Sequence, residues 1–194
     1  MLTSSTSTTK PSTGTEAVVE HSVDVWSTVS GKWLGALKGH VDGIIDCSFS
    51  SDSRRAITSS IDLTARVWNL EQLSLVAKLD GHTGAVRTAT FSTDQQRIAT
   101  ASEDATVRIW DATTGRQLAT LAGYGESQPT IHSVRFDAAD RQLLAVGTAP
   151  TVWDVSLERR SPQEISRLVG RETPWRLVGG QLIENTVASI GNGR

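Results

Sequence analysis

The chain has 194 residues, 38% hydrophobic and 21% charged, with a formal net charge of −2 and a pI near 6.1. This composition supports a globular core and excludes wholesale disorder, and with no basic run beyond Arg159-Arg160 it excludes an electrostatic footprint for nucleic acid or anionic membranes. The single cysteine, Cys47, excludes a disulfide framework and a multi-thiolate metal site, and no apolar run approaches the roughly 18 residues of a membrane span.

Residues 1–21, "MLTSSTSTTKPSTGTEAVVEH", are rich in Ser and Thr and lack the hydrophobic centre of a secretory signal, so a cytoplasmic, reducing setting is expected. "LTSS" at 2–5 resembles "ITSS" at 57–60, which reads as a strand. Thr58 lies 10 residues before Trp68, however, whereas Thr3 lies 23 before Trp26, so the segment reads either as part of an interrupted repeat or as a polar tail.

From residue 22 to 155 the chain repeats itself. Gly39-His40 matches Gly81-His82, Phe49 matches Phe91, Asp62 matches Asp104 and Trp68 matches Trp110, each pair 42 positions apart. Trp26 precedes Trp68 by the same 42, and Trp153 follows Trp110 by 43. "TARVW" and "TVRIW" alternate with period two and are rich in β-branched residues, as strands are. "SSDSRR" and "STDQQR" are polar clusters that read as turns. Each unit therefore supplies about four short strands. Cys47, within the apolar alternation "IIDCSF", reads as a small buried core thiol.

Gly-His, some 28 residues, then Trp-Asp or its near match resembles the WD40 repeat, and two units carry it almost complete. The resemblance implies an all-β fold: an incomplete or small WD40-type β-propeller of about 3–4 four-stranded blades over residues 22–155, with residues 1–21 as a Ser/Thr-rich segment that is part of a truncated blade. It also assigns His40, Thr58, Asp62 and Trp68 to one hydrogen-bonded group and His82, Thr100, Asp104 and Trp110 to another. The chemistry is consistent with that assignment. A buried indole N–H needs an acceptor, a threonine hydroxyl can accept it and donate onward to histidine, and the aspartate then fixes the tautomer.

Threonine, aspartate and histidine in mutual reach also invite a catalytic reading. Duplication argues against it, because the His-to-Thr, His-to-Asp and His-to-Trp spacings of 18, 22 and 28 occur twice. The donor chain ends on an indole, which leaves no unencumbered nucleophile. No catalytic residue, metal ligand or cofactor is assigned.

The third unit is degraded. Gly123-Tyr124 stands at the Gly-His position, the segment up to Phe136 is longer, Ala145 replaces the threonine, and no aspartate precedes Trp153 at the required six positions. His132 reads as a surface residue rather than a substitute for the missing imidazole. Residues 156–194 change character. Ser161, Pro162 and Glu164 read as a helix start, Ile165, Leu168 and Val169 as its apolar stripe, and Gly170 as its end. "PWRLVGGQLIE" then reads as a hairpin about Gly179-Gly180, with Trp175 as an anchoring aromatic. This tail resembles the closing segment of bacterial WD-repeat proteins.

By the same resemblance the function is binding: a non-catalytic scaffold for other proteins, with no nucleic acid or membrane partner. Family partners dock on the loops after Gly-His and the turns before the aspartate, here Val41, Gly43 and Ile61 in one repeat and Thr83, Ala85 and Glu103 in the next. The alternatives are a remnant of a larger bacterial WD40 signalling protein and, more remotely, a propeller enzyme. An unclosed set of blades exposes strand edges and so offers a route to self-association.

Overall fold

The computed structural model describes residues 2–9, 18–122, 131–148, 150–156, 175–178 and 181–184. The helix expected over Ser161–Gly170, the lengthened segment after Gly123-Tyr124 and the Gly179-Gly180 turn lie outside them. Among the described residues the chain is all β, with sixteen strands in five antiparallel sheets and no helix.

Each sheet is a meander of consecutive strands. The first holds β1 (Leu2–Thr9), β2 (Val18–Trp26) and β3 (Trp33–His40). The second holds β4 (Ile44–Phe49), β5 (Arg55–Ser60), β6 (Ala65–Asn69) and β7 (Ser74–Leu79). β8 (Val86–Phe91), β9 (Arg97–Ser102), β10 (Thr106–Asp111) and β11 (Gln117–Ala122) form the third. The fourth is β12 (Ile131–Phe136), β13 (Gln142–Gly147) and β14 (Thr151–Asp154). The chain divides after Ser156 into two compact units. In the second, β15 (Trp175–Val178) pairs with β16 (Gln181–Glu184), Val178 opposite Gln181.

Consecutive sheets of the first unit stack face to face, and period-two alternation decides which side chains meet. Each sheet has a leading face toward the next sheet and a trailing face toward the previous one. Val23, Val25 and Leu37 lead from the first sheet onto Ala56 and Trp68 of the second. Ile57 and Val67 lead from the second onto Ile98 and Trp110 of the third. Ala99, Ala101 and Val107 lead from the third onto Leu143 and Ala145 of the fourth, with Trp153 partly buried beside them. This is an incomplete propeller in which Trp26, Trp68, Trp110 and Trp153 sit on trailing faces.

Register defines how the outer sheets differ from the middle ones. Thr58 lies opposite Arg66, two positions before Trp68, and Thr100 opposite Arg108, two before Trp110. In the first sheet Thr3 lies opposite Asp24, two before Trp26. β1 to β3 thus occupy the places of the last three strands of a four-stranded sheet, and β12 to β14 those of the first three. The four-stranded blade expected throughout is complete, among the described residues, only in the second and third sheets.

One detail departs from the sequence expectation. Cys47 is half-buried rather than buried, because β4 is a terminal strand of its sheet whose side chains are only partly covered, and burial together with the neighbouring Asp46 raises its thiol pKa. His40 ends β3 of the first sheet and His82 lies between β7 and β8, so each histidine sits at the junction of two sheets and not inside one.

Candidate functional site

The four-residue groups are assembled from three places: a histidine at the sheet junction, a threonine and a tryptophan on adjacent strands, and an aspartate in the tight turn between those strands. His40 Nδ1 lies 2.7 Å from Asp62 Oδ2, and its Nε2 lies 2.7 Å from Thr58 Oγ1, which also accepts the Trp68 indole N–H at 2.9 Å. In the next repeat His82 Nδ1 is 2.8 Å from Asp104 Oδ2, Nε2 is 2.7 Å from Thr100 Oγ1, and Trp110 donates to Thr100 at 2.8 Å. All eight are brought together in two groups of four.

Only one proton arrangement satisfies every atom. The threonine oxygen accepts from indole and donates its single proton to Nε2, so the imidazole carries its proton on Nδ1 and donates it to the carboxylate. The imidazole is then neutral. Burial lowers the pKa of His82, opposed by its hydrogen bond and charge pairing with Asp104. Burial alone would raise Asp104, but hydrogen bonds from Thr106 and His82 outweigh it and bring the carboxyl to about 2. Asp62 goes the same way: hydrogen bonds from His40 and Thr64 overcome burial, and its pKa lies below the ordinary carboxylate range.

Each carboxylate is fully occupied. Asp104 Oδ2 also accepts the Thr83 N–H at 3.0 Å, and Oδ1 accepts the N–H and hydroxyl of Thr106 at 2.9 and 2.6 Å. Asp62 repeats this with Val41 and Thr64. The guanidiniums of Arg66 and Arg108 approach the same carboxylates at 3.8 and 3.9 Å. The glycine of each Gly-His pair is required by its backbone: Gly39 and Gly81 have φ of +141° and +142°, a conformation that residues with a Cβ rarely adopt.

Sequence reasoning passed over these arginines, Thr64 and Thr106, and Ser60 and Ser102, whose hydroxyls accept the aspartate N–H and donate to the Gly43 and Gly84 carbonyls. All recur at 42 positions, and that recurrence is the signal that would have found them.

A second repeated contact lies where the first and second strands of each sheet turn. Arg55 reaches from β5 to the Gln95 carbonyl at 3.0 Å and the Ala112 carbonyl at 3.3 Å, with its guanidinium 5.1 Å from the Phe91 ring. Arg97 reaches from β9 to the carbonyls of Asp140 at 2.5 Å and Val155 at 2.7 Å, and stacks 5.3 Å from Phe136. Each arginine thereby latches its sheet to the next. Gln142 holds that position in the fourth sheet.

The fourth sheet also lacks the four-residue group, since Ala145 is buried where a hydroxyl would stand. His132 is exposed, at a bulge in β12.

The residues considered for partner docking fall at the end of the sheets that carries the aspartate turns. Val41 is 80% exposed and Ile61 48%, joined by Leu63 at 40%. Thr83 and Glu103 are exposed, and Arg87 pairs with Glu103. Gly43 is half-buried with Ile61 against it. Ala85 is buried, because the chain entering β8 turns into the core, so it offers no surface.

Among the described residues no cluster of three or more His, Cys, Asp or Glu is placed to hold a metal ion, and no helix is long and apolar enough to cross a membrane. Stacked antiparallel meanders with a recurring His–Thr–Asp–Trp group define a blade-repeat protein of the propeller class. Two of the repeats are WD40 repeats: the family described as WD40, "WD domain, G-beta repeat", matches residues 31–69 and 73–111. Over 51 residues it is 43% identical to a bromodomain and WD repeat-containing protein of Dictyostelium discoideum, covering 26% of this chain and 2% of that protein. Over 54 residues it is 33% identical to cell division control protein 4 of Saccharomyces cerevisiae, covering 28% of this chain and 7% of that protein. The matched part is thus a small fraction of either relative.

Proposed function

We propose that the chain is a non-catalytic platform that binds other proteins through the aspartate-turn end of its second sheet. The observation that carries this reading is the exposure of Val41, Ile61 and Leu63 around one rigid turn. Asp62 anchors that turn by accepting the Val41 N–H at 3.2 Å, and Ile61 donates its own N–H to the Gly43 carbonyl at 2.9 Å. Apolar side chains held on a fixed backbone lose little entropy when covered, which favours recognition over chemistry. The histidines support the same reading, since both ring nitrogens of each are engaged and each threonine hydroxyl is already shared. Residues 22–155 form the repeat platform, with 1–21 contributing to an incomplete blade and 156–194 forming a separate tail.

The test is capture with a photo-crosslinker placed at Ile61, compared with a Val41→Asp/Ile61→Asp variant. A protein crosslinked by the parent and lost in the variant, at unchanged melting temperature, is the expected result. Crosslinks that persist in the variant, or none at all, would overturn the assignment of the surface.

Self-association is a further part of the proposal, since the first and fourth sheets each hold three strands among the described residues, one fewer than the second and third. The three-stranded fourth sheet favours a second reading, in which these blades are a remnant of a longer propeller with no independent role. Insoluble or polydisperse material on expression would support it.

A further inference from the structure

The leading face of the fourth sheet carries apolar side chains that stand exposed. Leu144, Val146 and Val152 are 43%, 46% and 56% exposed. Alternation puts all three on one side of the sheet, and Leu144 lies directly opposite Val152. Aligned on the tryptophans, they stand where the second sheet has Ile57, Ser59 and Val67, all 0% exposed. In the third sheet those places belong to Ala99 and Ala101 at 0% and Ile109 at 5%. A position that is a packed interface in the two preceding sheets is here open and apolar at all three places.

The opposite end of the stack carries the matching half. Trp68 and Trp110, on trailing faces, are 2% and 1% exposed, whereas Trp26, at the same place in the first sheet, is 38% exposed. In the internal stack Val25 and Val67 are the leading residues that cluster with Trp68 and Trp110. Val152 is their equivalent in the fourth sheet and Trp26 is the equivalent of those tryptophans. Open leading and open trailing faces on one chain are complementary by construction, which is the geometry of a head-to-tail contact.

We infer that the Leu144–Val146–Val152 face docks a second copy of this chain, covered by the Trp26 face of that copy's first sheet, and that the reciprocal contact joins the other two faces. Two copies line up four sheets each, and eight blades fall within the range at which propellers close. Continuity with the three internal interfaces argues for this occupant, because every sheet junction in the chain is built from the same positions. The Gln142 position supplies no arginine latch, so the contact rests on apolar burial and dissociates more readily than an internal junction. The inference deepens the self-association reading and rests on it, while the Val41–Ile61 surface stays free for another protein.

Light scattering coupled to size exclusion over a wide concentration range tests it. The parent chain is expected at twice its 20.8 kDa mass. Leu144→Glu/Val152→Glu and, separately, Trp26→Glu should each run at 20.8 kDa with the parent's far-ultraviolet circular dichroism spectrum, these side chains being partly exposed already. The two variants mixed should recover a one-to-one dimer, since one retains the trailing face and the other the leading face. A parent that stays monomeric, or a dimer indifferent to both variants, would overturn the inference. Should Trp26→Glu unfold, Trp26→Ala in the same mixing experiment decides, and failure of the mixture to pair has the same meaning. Val41→Asp/Ile61→Asp should remain dimeric, which separates this result from that of the binding surface.

Discussion

The guanidinium of Arg97, on the third sheet, lies 5.3 Å from the ring of Phe136 on the fourth, and Arg55 stands in the same relation to Phe91 at 5.1 Å. Each arginine also donates to two carbonyls of the following sheet, so a single side chain closes one end of the sheet junction. The histidine groups close the other end. Between them the apolar leading and trailing faces are held in register.

Arg97 is 5% exposed, and its loss strands two carbonyls and uncovers one aromatic face. Arg97→Ala should lower unfolding free energy by about 2–4 kcal/mol, measured by urea denaturation. Arg97→Lys should restore less than half of this, because an ammonium lacks the planar fork that reaches both carbonyls while lying on a ring. Full rescue by lysine would show that charge alone matters.

The tryptophans should separate by context. Trp110 donates to Thr100 at 2.8 Å, while Trp153 has Ala145 where that threonine would stand. Trp110→Phe should therefore cost about 1–2 kcal/mol more than Trp153→Phe in the same urea assay. Equal costs would mean that ring volume, not the indole N–H, carries the effect.

How much of this was legible in the sequence depends on where each contact partner sits. His40, Thr58, Asp62 and Trp68, and their counterparts, are side chains at fixed spacing, so the repeat exposes them. The arginine latches were not found, because their acceptors are the carbonyls of Gln95, Ala112, Asp140 and Val155, and a carbonyl has no residue signature. Ala85 read as surface because its place in a connecting loop gives no hint that the loop turns inward. Trp26 and Trp68 are indistinguishable by spacing yet differ from 38% to 2% in exposure, because what covers a blade face is the adjoining sheet. The Thr3–Asp24 pairing spans an interruption that no local pattern bridges.

Acid should weaken the fold in two stages. The folded state holds the His82 pKa below its ordinary value of 6.5, chiefly through burial, so the unfolded chain binds more protons as pH falls below about 6.5 and stability declines. Asp104 contributes a second loss between its ordinary 3.8 and about 2. Urea midpoints should fall on going from neutral pH to about pH 5.5 and fall further below about pH 4. His82→Gln should flatten the first stage; a midpoint rising toward pH 5.5 in the parent chain would contradict the neutral imidazole.

Ala105 and Leu63, each just after a tie aspartate, have φ of +64° and +70°. Left-handed backbone strains a residue with a Cβ and suits glycine. Ala105→Gly should therefore stabilise the chain by up to about 1 kcal/mol despite glycine's larger unfolded-state entropy, raising the melting temperature. A lowered melting temperature would show that the turn relaxes elsewhere.

That the His–Thr–Asp–Trp groups act as ties is tested most directly by a double-mutant cycle on unfolding free energy with Thr100→Val and Asp104→Ala. These two side chains do not bond each other, but each bonds one nitrogen of His82, at 2.7 and 2.8 Å. Asp104→Ala alone should cost roughly 1–3 kcal/mol, and coupling between the two sites should reach about 1 kcal/mol, because each substitution already disables the imidazole that the other needs. Additivity within about 0.3 kcal/mol would contradict a shared tie and leave the imidazole free for another role.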